Sequence, residues 1–354
     1  MITLADVQAL VAIDSVSRNE GALATHVAKR LSQNPALEIT RIGDNVIART
    51  TRGASTRLLV AGHLDTVPGD ASLSSVKGDV LWGLGACDMK ASLAAMIDSA
   101  LHDETLDVDA TYVFYAREEI ARDESGLLEI NRERPELLRA DAALVAEPTN
   151  GDVEAGCQGT LRVGVTLTGQ RAHTARPFTG RNAIHRLAPL LSRVASYVPR
   201  EVTIDGVTYA EQLQAVLVDG GIAANVVPDR VRVTLNHRVA PDRDDVTAAE
   251  WLATFLGDTL DEGDGFVILD WAPAAVPALE NEHLARLLSL SGTPPRAKVG
   301  WTDVATLQAL GVPATNCGAG DPLLAHHPDE HVRESDVQAF RVLLRRWLSG
   351  EAAA

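Results

Sequence analysis

The segment Leu59-Val60-Ala61-Gly62-His63-Leu64-Asp65 joins a short apolar run to two side chains that can carry chemistry. Apolar runs without polar alternation are typical of strands that are buried on both faces of a parallel sheet. Similar runs follow at 111–116 and 142–146, and helical patterns lie between the runs at 89–101 and 125–131. This alternation predicts an α/β domain in which a mostly parallel sheet is covered by helices.

Each of the three predicted strands ends in side chains that can bind a cation. His63 and Asp65 follow the first strand, Glu118 and Glu119 the second, and Glu147 the third. Because parallel strands bring their carboxyl ends to one edge of a sheet, we expect these side chains to lie close together. A histidine that binds a metal is commonly oriented by a carboxylate, and the spacing places Asp65 for that role.

Two further segments extend this set of imidazoles and carboxylates. Asp88 follows the glycines of Gly83-Leu84-Gly85 and opens a helix, and His326 and His327 lie near the C-terminus. Nitrogen and carboxylate ligands without a thiolate suit a pair of borderline divalent ions such as Zn²⁺ better than a structural zinc. Taken singly, each segment is also compatible with a helix cap, a packed histidine, or an acidic loop neutralised by Arg117. The combination favours a metal site.

From residue 159 the pattern changes to that of a second domain. Residues 160–168 alternate with period two, as expected for a sheet with one solvated face. Helices are predicted at 182–197 and 244–257, and strands near 202–204, 214–218, 230–238 and 266–271. The order is roughly β-α-β-β-α-β, which is typical of a split βαβ, ferredoxin-like α+β unit. We therefore predict a discontinuous catalytic domain, residues 1–158 and 272–354, with an inserted domain at 159–271.

The composition argues against several classes of partner. The 354 residues carry 32 Lys+Arg and 48 Asp+Glu, and the net charge of −16 disfavours nucleic acid and anionic membrane surfaces. No apolar run approaches the ~20 residues that span a bilayer, and the N-terminus lacks the pattern of a signal peptide. Three scattered cysteines do not form a disulfide framework. We expect a cytoplasmic protein that acts on a small molecule.

Four motifs together resemble the aminoacylase/carboxypeptidase family of co-catalytic zinc amidohydrolases. They are His63-Leu64-Asp65-Thr66-Val67-Pro68, Gly83-Leu84-Gly85-Ala86-Cys87-Asp88-Met89-Lys90, Glu118-Glu119 and Glu147-Pro148-Thr149. The resemblance covers nearly the whole chain, including the predicted insertion. Further segments at 154–160, 171–177, 300–303 and 318–326 resemble one branch of the family, the deacylases of succinylated amino acids. Two departures, Leu84 for a common Arg and Ala146 for a common Gly, remove no ligand.

The resemblance implies a ligand set for two zinc ions, with Co or Mn as an alternative for one of them. Asp88 would bridge the ions and would be followed by a cis peptide bond. His63 and Glu147 would complete one ion, and Glu119 and His326 the other. His326 is preferred to His327 because the family's ligand directly follows a Leu-Ala pair.

The resemblance also implies roles for residues around the metals. Asp65 would orient His63, Glu118 would be the general base, and His173 on the inserted domain would donate a hydrogen bond to the oxyanion. Because arginine binds carboxylates in a bidentate manner, an anionic acyl substrate suggests a further set of binding residues. These candidates are Arg176, Asn225 and Arg238.

The implied reaction is hydrolysis of an amide in a small acylated amino acid by a zinc-bridged hydroxide. The resemblance also implies a homodimer paired through the insertion, which would be a lid and dimerisation domain. Another deacylase or a carboxypeptidase of the same family is the nearest alternative. A silent binding scaffold is disfavoured by Glu118, since a binding protein has no use for a base beside a metal pair. A dinucleotide-dependent oxidoreductase is disfavoured because Gly83-Leu84-Gly85 lacks the third glycine of that motif.

Overall fold

The computed structural model describes residues 2–70, 73–102 and 107–350, so that residues 1, 71–72, 103–106 and 351–354 of the predicted catalytic domain lie outside the described residues. The chain divides into two compact units. The first comprises 1–156, 277–296 and 302–354, and the second comprises 157–276 and 297–301. The short return of 297–301 to the second unit has no counterpart in the sequence pattern. The role of the second unit as a lid or dimerisation domain stays a prediction.

The helices and strands follow one another along the chain with short connections. The helices are α1 (Leu4–Val11), α2 (Gly21–Leu31), α3 (Ala91–Leu101), α4 (Gly126–Glu133), α5 (Leu187–Ala195), α6 (Asp245–Leu256), α7 (Glu282–Ser291), α8 (Val304–Ala309) and α9 (Glu334–Leu348). The strands are β1 (Glu38–Ile42), β2 (Asn45–Arg49), β3 (Arg57–His63), β4 (Ser75–Lys77), β5 (Val80–Trp82), β6 (Asp109–Tyr115), β7 (Ala142–Val145), β8 (Glu154–Ala155), β9 (Gly159–Thr168), β10 (Ala172–His173), β11 (Glu201–Ile204), β12 (Val207–Ala210), β13 (Gln212–Gly220), β14 (Val226–Val227), β15 (Arg230–Val239), β16 (Gly265–Ala272), β17 (Arg296–Ala297), β18 (Ala314–Asn316) and β19 (His331–Arg333).

The sheet of the first unit has the strand order β1-β2-β6-β3-β7-β18-β8-β17. The central strands β6, β3, β7 and β18 are parallel, and β1, β2 and β8 pair antiparallel towards the edges. The apolar runs that predicted β3, β6 and β7 are fully buried, as strands covered on both faces must be. The predicted α/β class is confirmed.

Helix α3 packs closely on β3 just before the first functional residue. A Cβ atom at Gly62 would lie 2.7 Å from Leu93 Cδ2 and 2.8 Å from Met89 Cε, so a larger residue would require these two side chains to shift. The close packing holds the carboxyl end of β3 against the segment that contains Met89. The backbone N–H of His63 itself lies 3.2 Å from Met89 Sδ.

The second unit is an antiparallel sheet of order β13-β15-β9-β16 with α5 and α6 in its apolar core. This is the predicted split βαβ arrangement. Two details differ from the sequence prediction. The strand near 202–204 belongs to a separate hairpin of β11 and β12, and α5 spans only Leu187–Ala195. Pro189 explains the later helix start, because proline is tolerated only in the first turn.

Within the described ranges, no helix combines the length and the apolar character that a membrane span requires.

The packing around Gly318 yields a prediction about stability. A Cβ atom at this position would lie 2.2 Å from the carbonyl oxygen of Ala146 and 2.4 Å from that of Glu147. Since neither backbone group can move freely, Gly318→Ala should lower the free energy of unfolding by about 1–3 kcal/mol, measured by urea denaturation. Gly300→Ala is the matched control, because nothing lies within 4 Å of its added Cβ. Equal losses in the two variants would contradict this account.

Candidate metal centre

The carboxyl ends of three neighbouring strands bring the first site residues together. In the parallel register, His63 of β3 lies opposite Tyr115 of β6, and Ala61 lies opposite Val145 of β7. The segments that carry Glu118, Glu119 and Glu147 therefore start beside the end of β3. The expectation that these side chains share one edge of the sheet is met in the first unit.

Asp88 lies between two histidines from distant parts of the chain. Its Oδ1 is 3.0 Å from His63 Nε2, and its Oδ2 is 3.5 Å from His326 Nε2. His326 Nε2 is also 2.7 Å from Glu119 Oε1. Each oxygen of Asp88 thus faces a different imidazole, as expected for a carboxylate that bridges two ions. The Asp88–Met89 peptide bond is cis, as the resemblance implies.

The donor atoms fit a divalent cation in type and in spacing. One ligand atom each from His63, Asp88 and Glu119 lie within 4.8 Å of one another. Ligands of a tetrahedral zinc ion, at 2.0–2.1 Å from the metal, are about 3.3 Å apart. The imidazole–carboxylate distances of 2.7–3.5 Å are close to that spacing. Among the described residues, this three-residue group includes neither Glu147 nor His326, so the complete set of five ligands stays a prediction.

Asp65 has a different arrangement from the one expected for an orienting carboxylate. The Nδ1 of His63 lies 2.9 Å from the backbone carbonyl oxygen of Asp65, and 3.6 Å from its Oδ1. The carboxylate accepts hydrogen bonds from the N–H groups of Glu118 and Glu119, each at 3.0 Å, and from the hydroxyl of Ser17. Asp65 therefore supports both His63 and the acidic loop, and sequence reasoning missed the second role.

The charges in the site shift several pKa values. Burial raises the pKa of Glu118 well above its ordinary value, and the carboxylate of Glu147 raises it further, against the effect of His63. Burial also opposes ionisation of Asp65, but His63 and the two loop N–H groups outweigh it and lower the pKa of Asp65 to about 2. The hydrogen bond to Glu119 raises the pKa of His326 to about 9. Crowded carboxylates of this kind are stabilised by added positive charge.

Arg117 does not supply that charge, although it is adjacent to Glu118. Its guanidinium binds Glu129 at 2.5 Å and the carbonyl oxygen of Glu124 at 2.8 Å, and its N–H donates to Glu20. Arg117 thus supports the loop from outside while its charge is balanced by Glu129. The alternative in which Arg117 alone neutralises the acidic pair is disfavoured.

The other predicted site residues lie in the second unit. His173, on β10, is exposed and pairs across the strands with Val226 of β14. Its carbonyl oxygen accepts from the N–H of Arg176, and the neighbouring Thr174 N–H donates to the carbonyl of Asn225, so that these three residues cluster. Arg238 lies apart from them on β15. The roles assigned to all four residues stay predictions.

The pairing of His326 with Asp88 and Glu119 yields a prediction about metal content. Because His326→Ala removes one imidazole ligand, it should lower the bound metal from about two ions per chain to about one, measured by elemental analysis after dialysis. His327→Ala is the matched control, since the imidazole of His327 contacts the exposed Asp329. Loss of metal in the control, with retention in His326→Ala, would assign the ligand to His327 instead.

Comparison with known proteins identifies relatives over nearly the full length of the chain. A Corynebacterium glutamicum succinyl-diaminopimelate desuccinylase is 42% identical, over 97% of this chain and 95% of its own. A Mycobacterium tuberculosis protein, provisionally named as the same enzyme, is 46% identical over 97% of this chain and 96% of its own. The sequence-based resemblance to this branch of amidohydrolases is therefore confirmed.

The fold has a counterpart among solved structures, and the family follows from the sequence match. The Bacillus subtilis YXEP protein, described as a dinuclear metal binding peptidase from the M20 family, superimposes with a TM-score of 0.70 at 16% identity, covering 98% of this chain and 96% of that protein. The model of peptidase family M20/M25/M40 matches residues 59–349. This chain belongs to peptidase family M20/M25/M40, a family of metal-dependent hydrolases.

Proposed function

We propose that this chain hydrolyses the side amide of N-succinyl-L,L-2,6-diaminopimelate to succinate and L,L-2,6-diaminopimelate. The observation that carries the proposal is the identity of 46% and 42%, each over 97% of the chain, to the two relatives described above. The geometry of the first unit is compatible with this chemistry, because it collects candidate imidazole ligands and the half-buried carboxylate of Glu118, whose pKa is raised, at one place.

The proposed cofactor is a pair of zinc ions, or one zinc with Co or Mn. The residues that would hold the ions are His63, Asp88, Glu119, Glu147 and His326. When bound, such ions polarise the acyl carbonyl and lower the pKa of water towards about 7. The imidazole and carboxylate donor set supports zinc, and the absence of thiolates from it is compatible with exchange for Co or Mn.

Glu118 is the proposed general base. Its carboxylate accepts a proton from the water that attacks the succinyl carbonyl carbon, and returns the proton to the amine nitrogen as the C–N bond breaks. A carboxylate must hold this proton between the two steps, and burial beside Glu147 raises the pKa of Glu118 in the direction that such a role requires. Hydrogen bonds from the loop N–H groups to Asp65 fix the backbone that presents it.

Glu118→Gln tests this role. The amide cannot accept the proton, so kcat for the succinylated substrate should fall by about 10²–10⁴-fold, while metal content stays unchanged. Steady-state kinetics and elemental analysis measure the two quantities. Asp123→Asn is the matched control, because Asp123 is exposed on the same segment. Unchanged kcat in Glu118→Gln would point to a binding scaffold or to another base.

The substrate itself is tested by turnover after chelation, with stepwise addition of zinc. Activity on N-succinyl-L,L-diaminopimelate should disappear with the metal and return as zinc is added. A parallel panel of acetylated amino acids, including N-acetylornithine, tests whether the chain is a deacylase of different specificity. Preferential hydrolysis of an acetyl amide would assign the chain to another deacylase of the same family.

Arg238 is proposed to bind a carboxylate of the substrate. Its guanidinium is half-buried and donates to Thr160 Oγ1 at 2.5 Å. Burial lowers the pKa of Arg238, and the charge of nearby Arg162 lowers it further. In the part of the chain that the structure describes, no carboxylate forms an ion pair with Arg238. A half-buried cation with a neutral partner favours an anionic ligand, and Arg176 and Asn225 remain further candidates.

Arg238→Ala should raise KM for the succinylated substrate by about 10–100-fold, which is the loss expected for a charge-assisted hydrogen bond. KM for a neutral acyl amide should change by less than about threefold, and initial rates on both substrates measure the difference. Arg162→Ala is the matched control, because Arg162 already has Asp270 as a partner at 3.5 Å. Equal changes in KM for the two substrates would contradict a carboxylate-binding role.

We further propose that two copies pair through the second unit, as the resemblance implies. The outer strand β13 supports this, because Val216, Leu217 and Val218 are all exposed on it. An edge strand with exposed apolar side chains is a typical surface for association.

A further inference from the structure

Glu330 is a buried carboxylate that binds the backbone of the loop ending in Asp88. Only 3% of the residue is exposed. Its Oε1 accepts hydrogen bonds from the N–H groups of Cys87 at 2.8 Å and Asp88 at 2.9 Å, and its Oε2 accepts from that of Gly85 at 2.9 Å. Three N–H groups from a four-residue segment thus converge on one side chain. Burial of a carboxylate is costly unless it is hydrogen-bonded in this way.

The backbone around Glu330 is tied to the same loop. The carbonyl oxygen of Glu330 accepts a hydrogen bond from Gly83 N–H at 3.0 Å. The following strand β19 then pairs antiparallel with β5, with His331 opposite Trp82 and their rings 4.2 Å apart. The loop is therefore held by Glu330 along its whole length, from its start at β5 to Asp88.

Glu330 also lies four residues after His326, the ligand candidate from the C-terminal part of the chain. A turn joins the two positions, in which the N–H of Glu330 donates to the carbonyl oxygen of His327 at 3.0 Å. The Nε2 of His326 is 3.5 Å from Asp88 Oδ2. The segment with Glu330 and the loop with Asp88 are thus in contact both at the side chains of the ligands and at the backbone behind them.

We propose that Glu330 is a positioning residue that holds Asp88 and His326 in the relative placement required to share the metal pair. The proposal rests on the ligand set of the proposed function. The hydrogen bonds that the side chain of Glu330 accepts all come from backbone N–H groups of the loop, and through them it acts on the position of Asp88. It fixes the conformation around Gly85, which has a φ of 75° and so adopts a backbone that glycine favours.

The geometry separates two ways in which Glu330 could act. Glu330→Gln keeps the length of the side chain but replaces one acceptor oxygen by an NH₂ group, which would face an N–H donor of the loop. Glu330→Asp keeps the charge but is shorter by one methylene, so it cannot reach all three N–H groups in the same way. A positioning role predicts that both changes weaken metal binding, whereas a purely electrostatic role predicts that only Glu330→Gln does.

The experiment titrates chelator-treated protein with Co²⁺, followed by its visible absorption, and with Zn²⁺ in competition with a chromophoric chelator. Loss of a residue that orients ligands typically weakens metal affinity by about 10–100-fold, and we expect this loss, with an altered Co²⁺ spectrum, in both variants. Asp329→Asn is the matched control, because it removes an exposed carboxylate from the adjacent position. It should behave as wild type. Circular dichroism of the metal-free proteins checks folding.

Each outcome decides the proposal. Wild-type zinc affinity and Co²⁺ spectrum in either folded Glu330 variant would overturn it, and so would failure of both variants to fold, which would make Glu330 a residue of general stability. If only Glu330→Asp folds, its metal affinity decides between the two roles. If only Glu330→Gln folds, an altered Co²⁺ spectrum supports the positioning role, and weakened affinity with a wild-type spectrum overturns it. Wild-type protein that binds two ions but does not hydrolyse the succinylated substrate would refute the proposed function and leave this inference standing.

Discussion

The structure of the first unit depends on the burial of several carboxylates at one end of a parallel sheet. Glu147 is 94% buried and Asp88 is 91% buried, and the carboxylate of Glu118 is close enough to Glu147 for its pKa to be raised. Like charges repel strongly where water is excluded. The cluster is compatible with a folded chain only because imidazoles, backbone N–H groups and, in the proposed enzyme, divalent cations offset this repulsion.

The surrounding fold supplies two kinds of partner, namely groups that contact the carboxylates directly and groups that hold the loops behind them. Imidazoles approach the carboxylates directly, as His63 does at Asp88. Behind them, Asp65 and Glu330 each accept two or three hydrogen bonds from the loops that carry the ligands. Asp65 and Glu330 are themselves acidic, so the carboxylates of the site have two different roles. One set faces the cations, and the other holds backbone.

Most of the residues that face the proposed cations could be predicted from the sequence, because their positions depend on where the strands end. Parallel strands end at one edge of the sheet regardless of the conformation of the loops that follow them. The residues at or after these strand ends, His63, Glu118 and Glu147, are therefore expected at that edge. The binding of loop backbone by the supporting carboxylates could not be predicted in this way. The carboxylate of Asp65 binds the acidic loop, while His63 has the carbonyl of Asp65 as its nearer partner. Such a choice between backbone and side chain depends on tertiary packing.

The partners of Glu330 are even harder to predict from the sequence. Its position beside His326 is visible in the sequence, but the contact with the loop at Asp88 joins residues 242 positions apart. The start of α5 at Leu187 is easier to predict from the sequence, because Pro189 indicates the first turn of the helix. Local rules thus account for element ends and strand-end ligands, whereas the partners of buried polar groups require the three-dimensional arrangement.

The division into two units separates the candidate metal ligands and the proposed base from His173 and the candidate substrate-binding residues. All five metal-ligand candidates and Glu118 belong to the first unit, and the candidate carboxylate-binding residues belong to the second. A chain with a net charge of −16 repels an anionic substrate on average, so affinity must come from local cations. Arg238, half-buried beside Arg162 and bound to a neutral hydroxyl, is the cation proposed for this role. Because the two sets of candidates lie in different units, we expect substitutions among the second-unit candidates to change substrate binding while the candidate ligands keep the contacts described above.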